Sequence, residues 1–169
     1  EEASNPENLS TTDQSEPHTR SSGPLRVPAV VPVAPVVVSL YPKTLLVAFR
    51  LLNTHFRDSP LIPQFRPTIK GYGRVSAFLG ASSGLYDELI HYHWRVCKDL
   101  PAVVSILREM NQLGINPSSK SRGMLTGLII RQGRDVEAHR KSPSEKTFFW
   151  DLPSNKEAFH ELTRKDGWM

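Results

Sequence analysis

His93 and Cys97 stand four residues apart, the spacing that places two ligands on one face of a helix. Two ligands are too few for a structural zinc site, and the chain has no C-x-x-C pair or second His/Cys cluster to complete one. A core histidine beside a core cysteine is the better account, so no metal is expected. Gly80-Ala81-Ser82-Ser83-Gly84 fits the G-x-S-x-G pattern of a nucleophile elbow. That elbow needs a parallel sheet beneath it, with an acid and a histidine arriving from later strand ends. Nothing after Gly84 alternates strand with helix, and a flexible turn before a helix at Leu85 is expected instead. Gly71-Tyr72-Gly73 lacks the later glycines and the lysine of a phosphate loop. Asp87 with Glu88, and Glu157 with Glu161, read as solvated charges on helix surfaces. No catalytic group and no cofactor is expected, and the chain reads as a non-enzyme.

What remains is positive charge. The net charge of +4 conceals an asymmetry: residues 1–20 hold five acids and one base, which leaves 20 bases and 12 acids for residues 21–169. A basic body suits a polyanion such as RNA, and it equally suits plain solubility. The hydrophobic fraction of 38% and the 14 prolines predict a disordered portion beside one domain. A single cysteine excludes an intramolecular disulfide scaffold and fits a reducing compartment. A start at Glu1-Glu2 without methionine reads as a fragment or a processed product, from which a targeting peptide could have been lost.

The element that positions these charges is Tyr86–Pro117. Leu85, Leu89, Tyr92 and Val96 recur at helical spacing, with Tyr86, Ile90, His93 and Cys97 widening the apolar side. Asp87, His91, Arg95 and Lys98 form a polar stripe on the same helix. Asp99 is a natural N-cap for a second helix, and Pro101 is tolerated in its first turn. Leu100, Val103, Val104, Leu107, Met110 and Leu113 line one face of that helix; Gly114 suits its end, and Pro117 discourages resumption. The pattern predicts a helical hairpin.

The hairpin resembles a pentatricopeptide repeat in Tyr86-Asp87, Leu89-Ile90, Glu109-Met110 and Gly114-Ile115-Asn116-Pro117, although the first helix and turn run longer than usual. Such repeats need about three copies to bury their faces, so degenerate partners are expected elsewhere. In that family a base is read by the residue after the aromatic and the residue after the terminal proline; the resemblance implies Asp87 and Ser118. A carboxylate at Asp87 departs from the family's amides and hydroxyls and repels phosphate, which argues against base-specific reading. Arg95, Lys98, Lys120 and Arg122 would instead bind phosphates without sequence preference, or else be ordinary surface charges.

Residues 1–23 lack any apolar period and are expected to be a disordered acidic tail. The valine-rich segment 24–41, broken by prolines, predicts an extended strap on the body, with a polyproline-type ligand as the other option. Its apolar pieces fall short of the roughly 20 residues that cross a bilayer, so no membrane span is expected. Residues 42–133 form the helical repeat-like domain. It has a first helix from Pro42 to about Phe56, a short helix around 67–70 and another turn before Gly80, the hairpin, and a helix from about Ser119 to Gln132 ended by Gly133. Residues 134–146 read as a charged, solvated loop, and 147–169 as an aromatic anchor with a closing helix. The expected fold class is all-α: pentatricopeptide-like helical hairpins with a disordered N-terminal tail.

Over about residues 40–165 the body also resembles the C-terminal domain of the fungal mitochondrial transcription factor two family. The likeness rests on Tyr41-Pro42-Lys43-Thr44-Leu45-Leu46, Thr54-His55-Phe56, Phe78-Leu79-Gly80-Ala81-Ser82-Ser83, Leu85-Tyr86-Asp87-Glu88-Leu89-Ile90, the Glu109-Met110 to Gly114 turn, and Phe149-Trp150-Asp151-Leu152-Pro153. The resemblance implies a matrix protein of mitochondrial gene expression, acting in RNA processing, transcription or translation. Its expected partners are single-stranded mitochondrial RNA and, further, the mitochondrial RNA polymerase or other expression factors. The alternative it leaves is a protein-interaction scaffold on such a polymerase with no RNA contact.

Overall fold

A computed structural model describes residues 30–142 and 148–164. The chain divides into Glu1–Val31 and Pro32–Met169, and every helix among the described residues belongs to the second part. Its fold is all-α: seven α-helices and one 3-10 turn, with no strand among the described residues. They are α1 (Val33–His55), α2 (Leu61–Gly71), α3 (Arg74–Gly80), α4 (Ser83–Arg95), α5 (Leu100–Gln112), α6 (Ser119–Lys141) and α7 (Pro153–Thr163). The 3-10 turn, Phe149–Asp151, leads into α7.

The expected hairpin is α4–α5. Ser82 caps α4 by accepting from the Leu85 N–H, so the Gly80–Gly84 segment is a helix start and not a nucleophile elbow. Asp99 caps α5 by accepting from the Ala102 N–H at 2.9 Å. Gly114, at φ 68°, ends α5. The Ile115 N–H donates back to the Met110 carbonyl at 2.8 Å and the Gly114 N–H to that of Asn111 at 3.0 Å, a Schellman closure. Ile90 and Leu107 lie at the centre of the core, which also takes Phe49 of α1, Ile62 of α2, Leu125 of α6 and Leu162 of α7. α1 and α6 pack on α4, α7 packs on α5, and α2 and α3 pack on α1 and on each other. The apolar side of α4 is narrower than its sequence spacing suggested. The helix ends at Arg95, so Val96 and Cys97 are exposed in the connecting turn, and the expected core cysteine is corrected to a surface one.

Three boundaries depart from expectation. The strap expected over 24–41 is helical from Val33, and α1 runs through Pro42 instead of starting there. Pro35 falls in the first turn, where the N–H groups have no intrahelical partner, and Pro42 removes one ladder bond without ending the helix. The prolines therefore do not forbid a helix of membrane length. By length and composition α1 is long and apolar enough to cross a bilayer, with 6% of its most apolar window buried. Packing distinguishes its second half from a lipid-facing span: Phe49 is fully buried and Leu45 and Leu52 pack against the core. The short helix and the further turn expected between Asp58 and Gly80 are the longer α2 and α3.

The third departure is α6, which continues through Gly133 to Lys141, so the charged loop expected at 134–146 is helix for more than half its length. The i,i+4 pairs Arg131–Asp135 and Glu137–Lys141 support those turns. Residues 143–147, the expected acidic tail 1–23 and strap residues 24–29 lie outside the described residues. In the C-terminal segment Trp150 is buried and its indole N–H donates to Asp135 at 3.0 Å. Buried Asn155 donates to the Phe149 carbonyl at 2.8 Å, which fixes the anchor against α7.

Candidate nucleic-acid interface

The six residues singled out from the sequence fall into two groups. Asp87, Ser118 and Lys120 meet where α4 packs on α6. Asp87 accepts from the hydroxyl of buried Ser121 at 2.5 Å. Ser118 is the N-cap of α6, accepting from the Ser121 N–H at 3.3 Å. Lys120 pairs with Glu88 at 3.2 Å, and Arg50 of α1 reaches the same carboxylate at 3.0 Å. Both positions that the pentatricopeptide resemblance assigned to base reading are thus engaged within the chain. Burial alone would raise the Glu88 carboxyl, but hydrogen bonds and charge from Lys120 and Arg50 hold it below the ordinary value.

Arg95, Lys98 and Arg122 form the second group. All three are exposed and make no ion pair among the described residues. Lys98 sits in the α4–α5 turn at φ 55°, with its ammonium 5.6 Å from the centre of the Trp94 ring. His91 links the two groups. Burial lowers its pKa most, the charges of Lys120 and Arg95 lower it further, and Glu88 opposes them. Positive charge therefore recurs at the start of α6, at the end of α4 and in the α4–α5 turn; of the carboxylates on these elements, Asp87 and Glu88 are engaged by Ser121, Lys120 and Arg50, and Asp99, next to Lys98, caps α5.

Sequence reasoning missed a second polar joint, among α2, α4 and α5. Glu109 of α5 accepts from the Tyr86 hydroxyl at 2.7 Å and from Lys70 at 2.6 Å, and it pairs with Arg66. One carboxylate thereby ties α2, α4 and α5 together. Burial lowers the pKa of Arg66, and its Nε has no partner. Tyr86 and Glu109 are both positions of the repeat pattern, but they lie 23 residues apart and nothing in the sequence joins them. Among the described residues no three His, Cys, Asp or Glu side chains converge to hold a metal ion.

The helices and the joints between them define an all-α protein built around one capped hairpin, with exposed basic residues on α4, on α6 and in the α4–α5 turn, and with Asp87 and Glu88 engaged in helix–helix contacts. The chain belongs to the Mtf2 family, whose family model matches residues 2–165. Membership implies a mitochondrial, transcription-related factor. No curated protein matches the chain. No solved structure matches it either.

Proposed function

We propose that this domain is a non-catalytic factor of mitochondrial gene expression in the matrix, acting in RNA processing or translation, and that it holds single-stranded RNA by its phosphates along Arg95, Lys98 and Arg122. One observation carries the reading. Arg95, Lys98 and Arg122 are exposed and make no ion pair among the described residues, while Asp87 and Glu88 are satisfied by Ser121, Lys120 and Arg50. Exposed charge of that kind attracts a polyanion without reading its sequence. Its test is the salt dependence of RNA binding. Replacing Arg95 and Lys98 by glutamine is expected to weaken binding of a single-stranded oligonucleotide and to flatten its log–log salt slope by about 0.7 for each phosphate the variant no longer neutralises. Stability should hold within about 0.5 kcal/mol, because both side chains are exposed. An unchanged slope in a folded double variant refutes the assignment of these residues.

A second reading, a scaffold docking on a partner such as the mitochondrial RNA polymerase without RNA contact, is favoured by a separate observation. Val33, Val37, Val38 and Leu40 of α1 are exposed, as are Val75 and Phe78 of α3. Contiguous apolar surface of this kind marks interaction sites. A purified domain that binds no RNA at any salt concentration, yet retains a protein partner, would establish the scaffold in place of the RNA factor.

A further inference from the structure

The first half of α6 is held by α4, but its second half and α7 leave a cleft of about 620 Å³ between them. Gln132, Val136, His139 and Arg140 recur at helical spacing on one face of α6, and Lys156, Phe159, His160 and Thr163 on one face of α7. Trp150 also lines the cleft, and its ring is fixed by the bond to Asp135. The volume lies within the range of small-molecule sites.

Its chemistry is aromatic and cationic. The His139 and Phe148 rings stack at 4.3 Å with 7° between their planes, and Phe159 meets Trp150 edge-on at 5.7 Å. Phe148 and Phe159 are only partly buried, so they line the cleft instead of closing it. Arg140 has no ion pair among the described residues. The one carboxylate lining the cleft, Asp151, is paired with Lys156 at 3.0 Å. Gln132 adds an amide that can both donate and accept. Flat π-faces, an edge-reading amide and an exposed guanidinium are what a nucleobase with its phosphate requires. A purely apolar peptide would leave the amide and both histidines without partners.

We infer that this cleft binds one nucleotide of a single-stranded RNA, its base stacked against the His139–Phe148 pair and its phosphate on Arg140. The inference rests on the proposed RNA function and deepens it, because it supplies the base contact that Asp87 and Ser118 cannot make. Arg122 and Arg140 are five helical turns apart, hence on the same face of α6, and roughly 27 Å apart along its axis. One strand can therefore lie along α6, held by its phosphates at the first end and by a base at the second.

The test uses the full chain with a single-stranded oligonucleotide containing 4-thiouridine, followed by photocrosslinking and mapping of the modified peptides. Crosslinks are expected on the peptides that carry His139 or Phe148. Replacing His139 by leucine should lower RNA affinity at least about fivefold, the lower end of what one base stacked on an aromatic ring contributes. Arg140→Gln, at an exposed position, should lower affinity and flatten the salt slope by about 0.7. Circular dichroism on each variant checks that the helices remain. RNA that binds but crosslinks only near Arg95 and Arg122, with affinity unchanged in both variants, overturns the cleft and leaves the proposed function standing. A chain that binds no RNA overturns both.

Discussion

Glu109 offers the sharpest test of how this fold is held. Its side chain is 14% exposed and receives the Tyr86 hydroxyl, the Lys70 ammonium and the Arg66 guanidinium. Lys70 is half exposed, so its ion pair contributes at most about 1 kcal/mol. The Tyr86 hydroxyl donates to a charged acceptor, which is worth about 1.5–3 kcal/mol. Arg66 is the costly partner, because its side chain is 22% exposed and its Nε already lacks an acceptor. Removing the carboxylate leaves that cation desolvated and unpaired, while the desolvation of Glu109 itself is relieved and offsets part of the loss. Glu109→Ala is therefore expected to cost about 2–3 kcal/mol and to lower the thermal midpoint by roughly 6–12 °C. Urea unfolding followed by far-ultraviolet circular dichroism measures it. Tyr86→Phe keeps the carboxylate on both cations and should cost about 1–2 kcal/mol, and the double variant should cost less than the sum of the two. A loss below about 0.5 kcal/mol in Glu109→Ala, the range of surface substitutions, would show that the joint carries no stability.

Leu107 is fully buried at the centre of the hairpin, so Leu107→Ala should cost about 2–5 kcal/mol in the same unfolding assay; a near-neutral variant would mean its neighbours do not pack as described. Two glycines should respond with opposite signs. A Cβ at Gly80 would meet Leu45 Cδ1 at 2.8 Å and Ile69 Cγ2 at 3.2 Å, so Gly80→Ala should destabilise by about 1–3 kcal/mol, whereas Gly127 has open space inside α6 and Gly127→Ala should stabilise by up to about 1 kcal/mol. A Gly80→Ala variant as stable as the parent, or more so, would refute the packing of α3 on α1. The pH dependence of stability divides between two groups. Glu88 has a folded-state pKa below its unfolded value, so its contribution is complete above about pH 4.3 and is lost as pH falls through the folded value. His93, lowered first by burial, likewise favours folding above its unfolded value of about 6.5 and loses that contribution as pH falls through the folded one. Urea midpoints measured against pH should therefore flatten in the acid window for Glu88→Gln and near pH 6 for His93→Gln; unchanged profiles would sink both assignments.

How much of the fold was legible depended on how completely each helix is packed. In α4 and α5 each helix buries one face against the other, so the apolar period in the sequence reports the contact, and Asp99 and Gly114 mark the ends with their own chemistry. α1 gives no such signal over Val33–Leu40. Those residues are apolar apart from Ser39, and nearly all are exposed, so no one face records a neighbour. Its prolines then read as breaks, although one falls in a first turn and the other costs a single bond. α6 fails for the opposite reason. Its buried positions, Ser121, Leu125 and Leu128, all lie in the first half. The second half is held by i,i+4 ion pairs and by Phe148 and Trp150, which arrive from beyond Ser142. A segment whose partners come later in the chain looks like a loop when read alone.

For the candidate site, the residue types were legible and their pairing was not. Asp87 beside a phosphate path reads as repulsion when it is taken by itself. In the structure its carboxylate is satisfied by Ser121, and Glu88 is satisfied by Lys120 and Arg50, so neither stands as an open negative charge. The same pairing removes Lys120 from the set of free cations. Arg95, Lys98, Arg122 and, at the far end of α6, Arg140 are among the exposed cations that make no ion pair among the described residues. The basic excess of the body is therefore not uniform. The carboxylates Asp87, Glu88 and Glu109 are used at joints between helices, where their partial burial makes each paired group count for stability. Arg122 and Arg140 lie near the two ends of α6, and Arg95 and Lys98 at the end of α4 and in the turn after it, exposed positions where charges contribute little to stability and are available to a polyanion. This separation explains why substitutions at the two kinds of site should behave differently: those at the joints should move unfolding, and those at the exposed cations should move RNA binding and its salt dependence.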